Sequence, residues 1–405
     1  MEVQVFTREE DVYRLDFDIR KEIVNGIPVN LINLPREKDG YEHPKLNAAF
    51  RTIVNDFDPD IIHIGHLNHL SLGIVNECKR AGKPVIYTLH DFWLMCPRGQ
   101  FLQRNFDGQN QYKLCEGQEH KKCATNCYKM IHSCRPEDTT VDNDYWENWI
   151  ERRMKSVEDL IPLIDYFIAP SNYLMNRFVN DFKLDKNKVE YLDYGFPTHY
   201  LKPVEDTETR TFTFGYIGTH IPSKGVDLLI KAFSKVESPS RLIIWGRSHG
   251  QSTIALKALA KKSIQPIEFR GEYENPNIRK EVFKNVNAIV VPSIWGENSP
   301  LVIHEAQFCR VPVITANFGG MKEYVQHEVN GLLFTHRDVD DLFSKLAWAI
   351  DHQKEMKTFG KRGYLYSENG DVISIKEHCQ SLTEIYNSAI NTNENNQERT
   401  LENHN

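Results

Sequence analysis

Two glutamates eight residues apart, Glu297 and Glu305, offer a pair of carboxylates to a bound ligand. Glu297 lies just before the predicted start of a helix, and Glu305 lies about two turns into that helix. One carboxylate can accept hydrogen bonds from sugar hydroxyls while the other accepts from ribose hydroxyls. The alternative is coincidence, because this spacing is common in a chain with 56 Asp and Glu residues.

The start of the same helix predicts an anion site. A buried strand ends at about Pro292, Ser299 is a favourable N-cap, and Pro300 suits the first helical position. The helix then offers free backbone N–H groups at Leu301 and Val302, together with the positive end of its dipole. This combination suits a diphosphate.

Two further loops follow predicted strands and carry glycines. The first, residues 218–225, contains Gly218 and Lys224. Glycine lets the backbone approach a ligand closely, and the lysine ammonium offers a point charge to phosphate. The second loop contains Gly319 and Gly320 and permits another close approach. The alternative for Lys224 is a solvated surface lysine in a turn.

These loops are positioned by short apolar runs that alternate with helical patterns. The alternation predicts an α/β fold with parallel sheets and helices on both faces. Ligands of such sheets bind outside the carboxyl ends of the strands, where the loops above lie. The predicted strands are residues 60–64, 84–89, 165–169, 212–217, 241–245, 288–291 and 311–314.

In combination, the three loops resemble the C-terminal domain of the family-4 retaining glycosyltransferases. That family has the GT-B fold of two facing Rossmann-like domains. Its pattern of a glutamate, seven residues and a second glutamate is matched by Glu297 and Glu305. Its phosphate-binding lysine before a glycine is matched by Lys224 and Gly225. The resemblance extends over residues 3–390.

The resemblance implies a role for each matched position. Glu297 would contact the transferred sugar, Glu305 the nucleotide ribose, and Lys224 would neutralise the leaving diphosphate. The family usually has an arginine where this chain has Thr219, which removes one expected phosphate donor. Arg247, in a neighbouring loop, is a candidate substitute.

The N-terminal half also matches family landmarks. The loop that contains His90 resembles the family's histidine loop facing the donor, where an imidazole could hydrogen-bond the sugar or the developing charge. The alternative is a histidine satisfied in a strand-end turn. Residues 170–172 and 193–196 match landmarks of the interdomain region, although ordinary loop packing explains them nearly as well.

The same patterns divide the chain into domains. We expect an N-terminal, acceptor-side Rossmann-like domain at residues 1–203, which contains a cysteine-rich insertion at 96–135. A C-terminal nucleotide-sugar-binding domain is expected at 204–368. A helix at 369–390 is expected to cross back to the N-terminal domain. Residues 391–405 are almost wholly polar and are predicted to be disordered.

The N-terminal domain is expected to lack its first strand and glycine-rich loop. We expect the chain to match the family from its second strand, with residues 3–8 and then 26–31, and no glycine occurs before Gly26. Such a sheet would have an unpaired central edge. We therefore expect a shortened chain with weak or no transferase activity alone.

The insertion carries the candidate metal ligands. Cys115, Cys123, Cys127 and Cys134 fall within it, and the spacing of Cys123 and Cys127 is usable for a metal clip. The insertion has few apolar residues, so a cross-link is needed to stabilise its fold. A structural zinc is one interpretation, and a set of unpaired thiols is the other.

Residues 145–155 combine aromatic and basic side chains in a helical pattern. The pattern fits an amphipathic helix on a membrane surface near a lipid-linked acceptor. It also fits a packed helix with one solvated side, which is the more common case.

Composition excludes several classes of protein. A formal net charge of -7 argues against a nucleic-acid partner. No run of 18 or more apolar residues occurs, and the N-terminus has no basic and apolar regions of a secretory signal. The sequence therefore predicts a cytoplasmic protein, with peripheral contact at the inner face of the membrane as the alternative left open by residues 145–155.

The leading hypothesis is a retaining glycosyltransferase that moves a sugar from a nucleotide-diphosphate sugar to a glycan or lipid-linked acceptor. The setting would be cell-surface polysaccharide assembly, with no cofactor required for catalysis. The alternatives are a catalytically impaired nucleotide-sugar-binding protein and another GT-B nucleotide-sugar enzyme, such as an epimerase.

Overall fold

The computed structural model describes residues 1–34, 40–105, 112–128, 139–205 and 211–402, which form two α/β units. The elements of the first unit are β1 (Val5–Glu9), β2 (Ile19–Val24), β3 (Ile27–Asn33), α1 (Pro44–Phe57), β4 (Ile62–Ile64), α2 (Ile74–Arg80), β5 (Val85–Thr88), β6 (Leu102–Gln103), β7 (Lys113–Leu114), α3 (His120–Cys123), α4 (Thr139–Leu160), β8 (Tyr166–Ala169), α5 (Asn172–Asn180) and β9 (Val189–Tyr191).

The second unit alternates strands and helices more regularly. Its elements are β10 (Phe212–Ile217), α6 (Val226–Phe233), β11 (Ser240–Trp245), α7 (Gly250–Ala260), β12 (Ile267–Gly271), α8 (Ile278–Glu281), β13 (Ala288–Val291), α9 (Leu301–Phe308), β14 (Val313–Ala316), α10 (Met321–Tyr324), β15 (Gly331–Phe334), α11 (Val339–Asp351), α12 (Gln353–Arg362) and α13 (Ile375–Glu402).

The sheet of the second unit is parallel and has the order β12-β11-β10-β13-β14-β15. All residues of β13 and β14 are buried, because helices cover both faces of a parallel sheet. The order reverses between β10 and β13. The connections that follow these two strands therefore lead to opposite sides of the sheet, and a crevice is left at the carboxyl ends of the strands.

The first unit contains two larger sheets. One is a parallel sheet of order β4-β5-β8-β9, and the other has the order β1-β3-β2. β1 pairs with β3 in parallel, whereas β2 and β3 form an antiparallel hairpin through Asn25 and Gly26. Both turn residues have positive φ values, 52° and 82°, which are the values that a tight hairpin of this kind requires.

A cavity of about 170 Å³ lies between these two sheets. Its walls include Phe6 of β1, Phe50 and Val54 of α1, and Ile62 of β4. In the part of the chain that the structure describes, β1 and β4 each pair along one edge only. The sequence predicted an unpaired edge at this place in the N-terminal sheet.

α4 buries its apolar face inside the first unit. Trp146 and Ile150 are buried and pack with Tyr128 and Met154. Residues 145–155 therefore form a packed helix, the second of the two interpretations of this stretch. Within the described ranges, no helix is long and apolar enough to cross a membrane.

α13 returns from the second unit to the first. Tyr386, a residue of this helix, packs beside Ile86 of β5 and Ile168 of β8. The helix continues to Glu402, so residues 391–402 are helical where the sequence predicted disorder for residues 391–405. The packed turns supply the costly helix nucleus, and each further polar residue then adds one backbone hydrogen bond.

Candidate active site

The loops after β10 and β13 bring a lysine and a glutamate into contact. Lys224 Nζ donates a hydrogen bond to Glu297 Oε1 at 2.6 Å, and Ser293 Oγ donates to the same oxygen at 2.6 Å. The Glu297 side chain is 8% exposed and that of Lys224 is 32% exposed. Because β10 and β13 are hydrogen-bonded neighbours, their loops meet at one point of the crevice.

The start of α9 differs in one detail from the sequence prediction. Pro300 itself occupies the cap position, with φ −67° and ψ 110°, and no side chain caps the helix. The predicted cap, Ser299, instead donates to Asp193 Oδ1 at 2.8 Å. Ser299 thus donates to a buried carboxylate of the first unit, and a hydrogen bond to a charged acceptor is stronger than one between neutral groups. Leu301 and Val302 still form the first turn, where backbone N–H groups lack intrahelical partners.

Gly319 and Gly320 pack against the Glu297 loop. Gly320 N donates to Glu297 O at 2.7 Å, and a Cβ at Gly320 would lie 1.5 Å from Asn298 O. Gly319 has φ +61°, and a Cβ there would lie 2.6 Å from Gly296 Cα. The sequence predicted a close approach of this loop to a ligand, and the structure shows a close approach to the loop that carries Glu297. These glycines therefore set the position of that glutamate.

Gly218 and Arg247 lie in adjacent loops after β10 and β11. Gly218 N donates to Trp245 O at 3.1 Å, and Arg247 O accepts from His220 N at 3.1 Å. Arg247 is exposed. His220 is buried, and its Nε2 has no hydrogen-bond partner within the described residues. Sequence reasoning did not single out this histidine, although it lies between Gly218 and Lys224.

Glu305 lies on α9 and presents a carboxylate without a hydrogen-bond donor among the described residues. Burial raises the pKa of Glu305 to about 7, an effect that the neighbouring His304 partly opposes. When ionised, the Glu305 carboxylate can accept hydrogen bonds from donor groups of a ligand. Ribose hydroxyls are donors of the right kind.

His90 lies at the junction between the two units. Its Nδ1 is 2.7 Å from Tyr194 OH, and the two rings are stacked at 5.7 Å. Asn298 Nδ2 donates to His90 O at 3.3 Å, so the His90 loop contacts the residue that follows Glu297. The residue is exposed, yet the surrounding protein partly desolvates the ring, and this desolvation and nearby His66 lower the pKa of His90. The shift favours the neutral imidazole.

A buried carboxylate fixes α9 to the first unit. Asp193 is 1% exposed and accepts hydrogen bonds from Ser299 Oγ at 2.8 Å, Tyr364 OH at 2.7 Å and His304 Nε2 at 3.0 Å. Burial opposes the ionisation of Asp193. The His304 imidazole and the three hydrogen bonds outweigh burial and hold the pKa of Asp193 below its usual value.

Two further contacts join the units beside this carboxylate. Ser171 Oγ donates to Asn298 Oδ1 at 2.7 Å and also accepts from Leu174 N as the cap of α5. Glu323 accepts from the backbone N–H groups of Asn172 and Tyr173 at 2.8 and 2.9 Å. Residues 170–172 and 193–196 thus belong to the interdomain junction. The sequence did not reveal His304 and Tyr364 as partners, since no spacing pattern links them to Asp193.

The cysteines of the insertion are buried or half-buried. Cys123 lies at the end of α3, Cys127 lies in a short π-helical turn, and Cys115 Sγ donates to Gly117 O at 3.0 Å. Burial raises the pKa of the Cys123 and Cys127 thiols to about 12 and about 11. Within the described residues no group of three or more His, Cys, Asp or Glu side chains could hold a metal ion. Cys134 lies outside the described residues, so the zinc hypothesis stays a prediction.

The crevice therefore combines two kinds of group for one ligand. Lys224 and the first turn of α9 supply positive charge, which suits phosphates. Glu297 and Glu305 supply acceptors for hydroxyl groups. A sugar joined to a nucleoside diphosphate carries both kinds of partner.

Two family models match the two halves of the chain. The model described as Glycosyltransferase Family 4 matches residues 1–199, and the model described as Glycosyl transferases group 1 matches residues 201–366. The chain belongs to the group 1 glycosyltransferases and has their GT-B fold. The resemblance drawn from the sequence motifs is confirmed.

Several characterised or named proteins are similar over part of their length. A capsular polysaccharide biosynthesis glycosyltransferase, CapM of Staphylococcus aureus, is 27% identical over 53% of this chain and 53% of its own length. A D-inositol 3-phosphate glycosyltransferase of Xylanimonas cellulosilytica is 32% identical over 49% of this chain and 50% of its own length. The chain spans about half the length of the curated relatives that it matches.

Solved structures share the fold over most of the chain. Sucrose-phosphate synthase from Thermosynechococcus elongatus superposes with a TM-score of 0.69 at 18% identity, covering 96% of this chain and 90% of that protein. Anabaena HepE in complex with UDP and glucose superposes with a TM-score of 0.62 at 18% identity, covering 90% of this chain and 87% of that protein.

Proposed function

We propose that this protein is a retaining glycosyltransferase that transfers a sugar from a nucleoside diphosphate sugar to a glycan or lipid-linked acceptor. The observation that carries the proposal is the Lys224–Glu297 pair beside the first turn of α9. The pair places a cation for the leaving diphosphate next to a carboxylate for the transferred sugar. CapM, one of the similar proteins, acts in capsular polysaccharide biosynthesis, which supports cell-surface polysaccharide assembly as the setting.

In this mechanism each residue acts on one part of the donor. Glu305 accepts hydrogen bonds from the ribose, and the backbone N–H groups of Leu301 and Val302 receive the diphosphate. Lys224 stabilises the negative charge that develops on the diphosphate as the glycosidic bond breaks. His90 and Glu297 hold the sugar from the two sides of the crevice. The acceptor hydroxyl oxygen forms the new bond to the anomeric carbon on the face that the diphosphate leaves, and its proton passes to the departing diphosphate.

The site needs no divalent cation in this proposal, because Lys224 and the helix terminus supply the positive charge. The cytoplasmic location, with or without contact at the inner face of the membrane, is likewise a proposal. HepE binds UDP, and this makes uridine diphosphate sugars the first donors to test.

The proposal is tested in two stages. A thermal-shift screen with UDP, GDP and ADP sugars identifies the donor, since a ligand that binds the folded state raises the melting temperature. Product analysis by NMR then gives the anomeric configuration. A product with inverted configuration, or no shift with any donor, contradicts the proposal. Donor binding without transfer or hydrolysis would favour the alternative of a nucleotide-sugar-binding protein.

A further inference from the structure

A cavity of about 380 Å³ lies in the first unit, beside the His90 loop. Its volume falls within the range of small-molecule sites. Its aromatic and charged walls include Tyr41, Asp91, Trp93, Arg98, Trp149 and Arg153. Sequence reasoning did not identify this cavity.

The charge of Arg153 is buried, and no carboxylate of the described residues pairs with it. The residue is 1% exposed and lines the cavity. Its guanidinium carbon lies 4.3 Å from the ring centroid of Trp93, and its Nη2 donates to Trp93 O at 2.6 Å. Nη1 contacts Met154 Sδ at 3.2 Å. Within the described ranges no Asp or Glu forms an ion pair with it. Buried guanidinium groups are normally paired with anions.

Arg98 extends this positive charge towards the donor site. Its guanidinium carbon lies 5.6 Å from the ring centroid of Tyr128, and the described residues give it no ion pair. Arg98 also lines a second cavity of about 290 Å³, together with Arg104. Pro222 and Ser223, which precede Lys224 in the donor loop, line the same second cavity. Arg98 therefore stands between the first cavity and the donor loop.

One acid lines the first cavity among the described residues. Asp91 follows His90, and its Oδ1 accepts from Trp93 N at 2.7 Å and lies 3.5 Å from His66 Nε2. Within the described ranges Asp91 forms no ion pair with either arginine. Burial lowers the pKa of Arg153, and the charge of Asp91, which favours the charged form of Arg153, partly opposes this shift. The two arginines outnumber this acid, so the cavity favours an anion.

The aromatic walls indicate what carries the anion. Tyr41 and Trp149 stand edge to face, with ring centroids 5.4 Å apart. Both residues are half-buried and give rigid, apolar faces that lose little conformational entropy on contact with a ligand. The apolar C–H face of a pyranose ring fits such a wall. A ligand with one sugar ring and one anionic group would use both features of the cavity.

We propose that this cavity is the acceptor subsite and that it binds an anionic sugar unit through Arg153 and Arg98. The anion is the carboxylate of a uronic acid or the phosphate of a sugar phosphate. This inference rests on the proposed glycosyltransferase function, because it assigns the acceptor of the same reaction.

The test compares charged and neutral sugars of the same shape. Titration calorimetry would measure binding of 4-nitrophenyl β-D-glucuronide against 4-nitrophenyl β-D-glucoside, and of glucose 6-phosphate against glucose. We expect one charged sugar to bind at least about tenfold more tightly than its neutral partner, as charge-assisted hydrogen bonds imply. The pair with the larger ratio identifies the carboxylate or the phosphate as the anion. Equal binding within both pairs overturns the proposal.

Two variants and one control complete the experiment. Arg98→Gln changes a half-buried residue and should reduce the charged-to-neutral ratio to near one third or less of its original value, on the order of one lost hydrogen bond. Arg153→Gln should reduce it further, with circular dichroism as the check on folding. Arg8→Gln removes a cation at an exposed site and should leave the ratio unchanged. An unchanged ratio in Arg98→Gln and in folded Arg153→Gln contradicts the proposal.

The same samples separate this inference from the proposed function. UDP, GDP and ADP should bind equally to Arg8→Gln and to the unaltered protein. Nucleotide binding with no preference for a charged sugar overturns only the acceptor assignment. Absence of binding to all three nucleotides contradicts the proposed function itself.

Discussion

Lys224 and Glu297 are joined by a hydrogen bond of 2.6 Å although 72 residues separate them in the chain. Each stands in the loop after one of two neighbouring parallel strands, β10 and β13. The contact couples the group expected to bind the diphosphate to the group expected to bind the sugar. A bound diphosphate would compete with Glu297 for the Lys224 ammonium, so donor binding and the position of Glu297 are linked.

Lys224→Ala should lower turnover by on the order of a hundredfold or more, because it removes a preorganised charge that stabilises the leaving group. Steady-state kinetics with the donor found by thermal shift would measure the effect. Lys231→Ala, which removes an exposed lysine on α6, is the matched control and should change turnover little. A turnover in Lys224→Ala equal to that of the control would show that Lys224 has no such role.

Glu305→Gln should remove a pH dependence of nucleotide affinity. The pKa of Glu305 is about 7, so its carboxylate becomes a full acceptor for the ribose as the pH rises through 7. Affinity for UDP should therefore rise between about pH 6 and pH 8 in the unaltered protein beyond the rise seen in Glu305→Gln. Calorimetry would measure the UDP affinity of both proteins at three pH values. The difference between the two profiles removes the contribution of nucleotide ionisation, which is the same for both proteins. Identical pH profiles would refute the assignment of Glu305 to the ribose.

The same pKa predicts how Glu305 affects folding. The folded-state pKa lies above the unfolded-state value of about 4.3, so the folded protein binds more protons between these values. The contribution of Glu305 to stability is therefore most favourable below about pH 4.3 and declines as the pH rises towards 7. Chemical denaturation at pH 5 and pH 8 should show a smaller decline in Glu305→Gln than in the unaltered protein.

Asp193→Asn should destabilise the protein by about 3 kcal/mol, because it removes one partner of a buried charged network. Ser299, His304 and Tyr364 would lose the carboxylate that orders the start of α9. Urea denaturation would measure the change, with Asp351→Asn at an exposed position as the control. A loss below about 0.5 kcal/mol, the level of ordinary surface substitutions, would mean that the network contributes little.

Transfer should persist after removal of divalent metal. Activity assayed with and without EDTA would check this, because the positive charge at the diphosphate is expected to come from Lys224 and α9. If the chelator abolishes transfer and Mg²⁺ or Mn²⁺ restores it, the proposal of metal-free leaving-group stabilisation fails.

The cysteine insertion is expected to carry zinc, if it carries any metal. Elemental analysis of protein prepared without added metal should find zinc in the unaltered chain and less in Cys123→Ser. Cys379→Ser, at an exposed cysteine on α13, is the control. Zinc below trace level, with the thiols of the insertion freely titratable, would remove the metal hypothesis.

The sequence by itself determined the α/β fold class and grouped the loops that are expected to bind the donor. Parallel strands end at one edge of a sheet, so residues that follow strands, such as Lys224 and Glu297, could be grouped without coordinates. The positions of the two glutamates relative to α9 also followed from the sequence. A helix that begins after Pro300 leaves Glu297 in the preceding loop and places Glu305 within the helix.

Tertiary structure decided the features that depend on partners distant in the chain. Ser299 donates a hydrogen bond to Asp193 rather than capping α9. Arg153 is buried against Trp93 and lines a cavity. Local propensity describes what a residue does within its own turn, whereas these contacts depend on how the two units and the insertion pack. The polar residues after 390 are helical for a related reason, because the packed part of α13 nucleates a helix that their composition alone does not predict.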